Sequence, residues 1–425
     1  MKIKIHAGKP LAENAVVQAP PSKSLSHRAV LCAGLARGVS VVDNLEYSQD
    51  VTVTLDGVAQ VCARVRREEH SARIEGHGGF ATVVRPVFCG ESGSTLRFFI
   101  PVFSLTGQKV HFTGAGRLFK RPMGIYKDIF ESQRLQFEQT EDGITIQGAL
   151  SAGEFTLPGN VSSQFISGLL FALPLLYHDS KVHITAPFES RSYVELTLGV
   201  MRDFGVQARW SETEPDTLLI PGGQTYRNRS YTVEGDYSQA AFFAVLGALA
   251  GGVTITGLRP DSCQGDAAIL DILQCCGARF TRSGSTVSFA KSELAATDID
   301  LADCPDLGPI LMVLGCFCKG TTHITNAARL RLKESDRIAA MEQELGKFGA
   351  KITSTENDVY IEGTALSCPG ELYGHNDHRV VMSLAVCALA AGLPVVIDDA
   401  QAINKSWPDF FRVLEKTGAE LEETD

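Results

Sequence analysis

Apolar and polar positions along the chain fall into one phrase that returns six times: a helix of small apolar residues, a glycine turn, then a β-branched strand. It occupies residues 33–42, 103–112, 172–184, 247–255, 315–324 and 387–396. The turn glycines Gly38, Gly107, Gly252, Gly320 and Gly392, with Asp179 in the third copy, recur at about 70 residues. A second phrase interleaves with the first: a helix closing on Phe204-Gly205-Val206, Cys276-Gly277-Ala278, Phe348-Gly349-Ala350 or Thr417-Gly418-Ala419, followed by a hairpin. Glycine just past a helix accepts the left-handed backbone that ends it. Each copy therefore reads as strand, helix, strand, helix, strand, strand. The last copy stops near Leu421, short of its final strands. The opening strand over residues 2–6 is placed to supply what is missing, which puts both termini in one domain.

A chain of 425 residues exceeds one hydrophobic core, and six copies divide into two domains of three. The expected crossings lie near Ala19-Pro20-Pro21 and near residues 230–233. One domain then covers 21–230, and the other combines 1–20 with 231–425. A net charge of −10 argues against a general nucleic-acid coat, so an anionic ligand must be met by local cations. No apolar run reaches the roughly 18 residues of a membrane helix, and no apolar signal core opens the chain. These features predict a cytoplasmic protein. The 11 cysteines include no C-x-x-C pair and lie in apolar segments, which predicts reduced, buried thiols rather than disulfides or zinc ligands.

Polar clusters recur at predicted helix starts, where outward N–H groups and the helix dipole favour anions. In 329–345 an amphipathic helix carries Ile338, Met341, Leu345 and Phe348 on one face. Ser335 and Asp336 suit its first turn, and Lys333 and Arg337 are expected on one face with Glu334 between them. Two cations and a carboxylate suit an anionic substrate that needs a proton moved. Lys23, Ser24 and Arg28 open another helix, without the glycines of a Walker loop. Gly93, Ser94 and Thr95 open a third, where the glycine admits close approach of backbone to ligand. Arg117, Lys120 and Arg121 share a glycine-bounded loop. Ser162, Ser163 and Gln164 offer two hydroxyls and an amide to a phosphate. Ser190 and Tyr193, Asp306, Asn376 to Arg379, and Lys405 stand at four further predicted starts. A capped, solvated helix end explains any one of these; their shared place in the repeat favours a common site between the domains.

With these residues collected, the chain resembles the enolpyruvyl transferases along its full length, in the branch that acts on 3-phosphoshikimate. The resemblance rests on seven ordered segments: PSKSLSHR at 21–28, GESGSTLR at 90–97, RPM at 121–123, SSQ at 162–164, LKESDR at 332–337, NDHR at 376–379 and KSWPDFF at 405–411. It implies an α/β fold of two domains, each three βαβαββ units around parallel helices, an inside-out α/β barrel. It also implies transfer of the enolpyruvyl group from phosphoenolpyruvate to 3-phosphoshikimate, with no metal or organic cofactor, by a monomer with small-molecule substrates, no nucleic acid and no membrane. Lys23, Ser24 and Arg28 would hold phosphoshikimate, Lys23 also reaching phosphoenolpyruvate. Ser162, Ser163, Ser190 and Lys333 would take its phosphate, and Gln164 and Tyr193 would flank its ring. Gly93, Arg121, Arg337, Arg379 and Lys405 would bind phosphoenolpyruvate. Asp306 would accept the proton of the attacking hydroxyl, and Glu334 would donate one to the methylene carbon. Glu91 stands where many members have Asn, so no role is carried over to it.

Seven expected cations facing only Asp306 and Glu334 predict an open unliganded form that closes on substrate. The UDP-amino-sugar branch is disfavoured, because Lys23 is followed by Ser24 rather than Asn and residues 113–122 contain no cysteine. A clamp of repeats around nucleic acid would need basic residues spread along its lining helices, whereas here they gather at helix starts.

Overall fold

The computed structural model describes residues 1–6, 12 and 14–424. Among these, twelve α-helices alternate between two kinds. In chain order they are α1 (Lys23–Leu35), α2 (Gln49–Val61), α3 (Gly93–Ser104), α4 (Gly124–Ser132), α5 (Ser163–Ala172), α6 (Arg191–Asp203), α7 (Tyr237–Ala250), α8 (Ala268–Cys275), α9 (Gly308–Phe317), α10 (Arg337–Lys347), α11 (His378–Ala391) and α12 (Phe410–Glu415). The odd-numbered helices are buried on nearly every side; Tyr237 through Ala248 of α7 and His378 through Ala388 of α11 are all enclosed. A helix apolar all round can only be a core element. The even-numbered helices bury one stripe, such as Ile338, Met341 and Leu345 of α10.

Six four-stranded sheets share one pattern. Glu154–Pro158 runs parallel to Ser180–Thr185, which pairs antiparallel with Thr217–Ile220, itself antiparallel to Arg209–Trp210. One face of each is covered, as the alternating burial of Ser71–His77 requires. The turn glycines explain the period: Gly38, Gly107, Gly252, Gly320 and Gly392 all have positive φ, from 65° to 106°.

Three sheets are completed by distant strands. Ser230–Thr232 lies beside Arg37–Asp43, and Ala15–Gln18 beside Val253–Thr256. Lys2–Ile5 lies between Val395–Asp398 and Leu421–Thr424. The last copy thus keeps one of the two strands expected to be missing, and the N-terminus supplies only the other. The chain forms two compact units, Lys23–Val233 and Met1–Ser22 with Glu234–Asp425. Each has its own core, around Phe98, Phe99, Phe103 and Phe171 in the first and Phe242, Phe243, Trp407 and Phe410 in the second.

All 11 cysteines are free thiols, but Cys263, Cys275 and Cys368 are exposed, against the expectation that all were buried. Cys275 and Cys276 are neighbours at the end of α8, where successive side chains point about 100° apart, so only one can face the core.

Candidate functional site

In the unit containing both termini, three helix starts meet. Asp306 sits in the turn Pro305–Leu307 that leads into α9, Arg337 is the first residue of α10, and Asp377 caps α11 two residues before Arg379. Asp306 Oδ1 accepts from Lys333 Nζ at 3.2 Å and from an Arg337 terminal nitrogen at 3.2 Å, while its Oδ2 accepts from Arg379 at 2.9 Å. Arg337 also donates to Glu334 Oε2 at 2.7 Å. Spacing placed Lys333 and Arg337 on one helix face, but Lys333 follows the turn Ala328–Leu332 outside α10, and Asp306 joins the two. Lys405 donates to the carbonyl of Asn376 at 2.6 Å. It ends a 3-10 turn instead of opening a helix, because Pro408 disfavours helical backbone at Trp407 and delays α12 to Phe410.

Burial alone would raise the Asp306 carboxyl, but Arg379, Lys333 and Arg337 outweigh it and hold the group well below the usual carboxylate range. Burial and the adjacent arginines lower Lys333 despite Asp306. Arg337, almost wholly enclosed, would also be lowered by burial, yet Asp377, Glu334 and Asp306 raise it.

Asp377 lies in the helix start expected at 376–379, but no role was assigned to it from the sequence. It is fully buried, accepts from Arg337 Nε at 2.9 Å and from Ser335 Oγ at 3.0 Å, and caps α11 through the Arg379 N–H at 2.9 Å. Its placement inside NDHR was the available signal, but nothing linear pointed it at Arg337.

In the other unit, Lys23 opens α1 and its Nζ lies 3.0 Å from Asp50 in the first turn of α2. Arg28 turns inward: it donates to Thr197 Oγ1 at 2.9 Å, the Ser24 carbonyl at 2.7 Å and the Tyr193 carbonyl at 3.1 Å, with its guanidinium 5.3 Å from the Phe98 ring centre. It ties α1 to the first turn of α6, and burial pushes its pKa down to about 10, leaving it charged at neutral pH. Ser190 precedes α6 in a left-handed conformation, φ 56°. Ser162 caps α5, accepting from Gln164 N at 3.3 Å, and Ser163 is its buried first residue.

Gln164 is oriented by two neighbours. Its Oε1 accepts from Arg97 at 2.6 Å, and its Nε2 donates to Ser94 Oγ at 2.8 Å. Arg97, also missed as a site residue, stacks 4.9 Å from the Phe165 ring centre. Gly93 lets the arginine termini close in: a methyl there would lie 2.6 Å from an Arg121 terminal nitrogen and 3.1 Å from one of Arg97, and would push them aside. Glu91 lies against the backbone at Gly116, close enough that a methyl group there would clash with its carboxylate.

The EPSP synthase (3-phosphoshikimate 1-carboxyvinyltransferase) family profile matches residues 7–414. The chain belongs to the EPSP synthase family. It is 40% identical over 410 residues to the 3-phosphoshikimate 1-carboxyvinyltransferase of Clostridium kluyveri, covering 96% of both chains. It is 40% identical over 433 residues to that of Clostridium beijerinckii, covering 99% of this chain and 98% of the relative. Its fold matches EPSP synthase from Acinetobacter baumannii with a TM-score of 0.81 at 24% identity, over 99% of this chain and 100% of the other. The enolpyruvyl transferase NikO from Streptomyces tendae matches with the same TM-score at 17% identity, over 100% and 98%. These two establish the two-domain enolpyruvyl transferase fold. The 40% relatives separate this family from others that share it.

Proposed function

We infer that the protein transfers the enolpyruvyl group of phosphoenolpyruvate to the 5-hydroxyl of 3-phosphoshikimate and releases phosphate, the shikimate-pathway step towards chorismate and the aromatic amino acids. The observation that carries the residue assignment is the pair of carboxylates on one cation: Asp306 and Glu334 both accept from the Arg337 guanidinium, at 3.2 and 2.7 Å. Protonation of the methylene carbon makes the neighbouring enol carbon electrophilic, the hydroxyl adds, and loss of phosphate from the tetrahedral adduct restores the double bond. Glu334 supplies the first proton and Asp306 takes that of the hydroxyl, with roles exchanged on elimination.

Arg121, Arg337, Arg379 and Lys405 bind phosphoenolpyruvate, beside Gly93, Gln164 and Lys23. Lys23, Ser24, Arg28, Ser162, Ser163, Gln164, Ser190, Tyr193, Asp306 and Lys333 bind 3-phosphoshikimate. In the unliganded form Asp306 is a weak base because three cations hold its charge. A substrate phosphate of about −1.5 to −2 competes for those cations and returns basicity to it as the complex forms. Arg28, anchored by three hydrogen bonds, acts as a fixed cation that also sets the Ser24 and Tyr193 backbones. The substrates are free small molecules and the reaction is cytoplasmic and monomeric.

The test is phosphate release from phosphoenolpyruvate with 3-phosphoshikimate, and separately with UDP-N-acetylglucosamine, as acceptor. Turnover is expected only with the first. Lys23→Met and Glu334→Ala are expected to lower kcat/KM by at least about 100-fold, in line with loss of a charge contact or an acid in the transition state. Full activity in either variant removes that residue from the mechanism.

A further inference from the structure

Glu344 occupies the buried stripe of α10, where spacing from Ile338 and Met341 calls for an apolar side chain, and it is completely enclosed. Three groups converge on its carboxylate. Oε2 accepts from Lys347 Nζ at 2.7 Å and from the Tyr373 backbone N–H at 2.9 Å, and Oε1 lies 3.1 Å from His375 Nε2. A buried carboxylate accepts from a ring N–H, so His375 carries its proton on Nε2.

The segment it grips is strained. His375 and Asn376 are consecutive non-glycine residues in left-handed backbone, φ 53° and 50°. Such residues persist where surrounding contacts over-determine them, and they concentrate at functional sites. On the other side, the Asn376 N–H donates to Asp399 Oδ2. Between these two carboxylates the chain turns so that the Asn376 carbonyl meets Lys405 Nζ and the next residue, Asp377, meets Arg337.

We propose that Glu344 is a positioning residue of the phosphoenolpyruvate site, holding the 373–377 loop so that Asn376 aims Lys405 and Asp377 aims Arg337. The proposal rests on the reading that Lys405 binds phosphoenolpyruvate. Glu344 touches no substrate. Its charge, buried at the back of the loop, fixes the backbone that fixes the two cations. A glutamate kept only to stabilise α10 would have no reason to engage both the Tyr373 N–H and the His375 ring.

The experiment is a double-mutant cycle on the full chain, with steady-state kinetics for both substrates. Glu344→Gln retains shape but removes the charge. His375→Gly removes the ring contact while allowing the left-handed backbone without cost, so it keeps the test valid should Glu344→Gln fold poorly. Each is expected to raise KM for phosphoenolpyruvate about tenfold while KM for 3-phosphoshikimate changes less than about twofold. In a Lys405→Met background the same changes are expected to add clearly less than their roughly tenfold effect in the unmodified chain, because one of the two cations they aim is gone. Unchanged phosphoenolpyruvate KM in both variants, equal effects on both substrates, or full additivity with Lys405→Met overturns the proposal. A silent Lys405→Met overturns the underlying site assignment and this proposal with it. A damaging Lys405→Met beside silent Glu344 and His375 variants overturns only the positioning role.

Discussion

At the scale of the residue, charge placement decides what this site does before substrate arrives. Arg337 is enclosed and answered by Asp377, Glu334 and Asp306, so removing Asp377 leaves a buried guanidinium short of its best-shielded partner. Asp377→Ala is expected to destabilise the fold by about 3–5 kcal/mol, read from urea unfolding, with Asp377→Asn costing less because it can still cap α11. Asp306 gives a pH signature. Its folded pKa is depressed, so its stabilising contribution is full above the unfolded value of about 3.9 and falls away as pH drops towards the folded value. The urea midpoint is expected to decline as pH falls through about 4 and to go on declining towards the depressed folded value, and Asp306→Asn should flatten that decline. Roles were legible in the sequence for Asp306 and Arg337 but not for Asp377, Asp50, Arg97 or Glu344. Each of these four acts on a partner at least 27 residues away or through a backbone it does not belong to. Linear spacing carries no information about such pairs.

At the scale of the element, the helix start is the recurring device. Asp336 caps α10 by accepting from the Ala339 N–H at 3.0 Å and receives Arg331 at 3.3 Å. Asp336→Ala is expected to cost about 1 kcal/mol in thermal or urea unfolding, from the lost cap. Because α10 begins with Arg337, kcat/KM is expected to fall as well, since fraying of the first turn moves that guanidinium. Existence and kind of the helices were legible, because apolar periodicity and turn glycines are local signals. Their first residues were less so. Lys333 was assigned to a helix face and Lys405 to a helix start, yet Lys333 follows a 3-10 turn and Lys405 ends one.

At the scale of the whole molecule, the charge balance is closer than the seven-to-two ratio anticipated. In the unit with both termini, Lys333, Arg337, Arg379 and Lys405 face three carboxylates once Asp377 is included, and in the other Asp50 answers Lys23. Small-angle scattering is expected to show a smaller radius of gyration on adding 3-phosphoshikimate, if doubly anionic substrate draws these cations together. No change at saturating ligand would reject closure on substrate. The sequence by itself determined the sixfold repeat, the two kinds of helix and the polar character of the helix starts, because these follow from local periodicity, left-handed glycines and capping chemistry. Only the tertiary structure decided which starts share a carboxylate and that Arg28 braces two helices through backbone carbonyls. Those outcomes depend on contacts between residues tens to hundreds of positions apart, which packing selects and no local preference encodes.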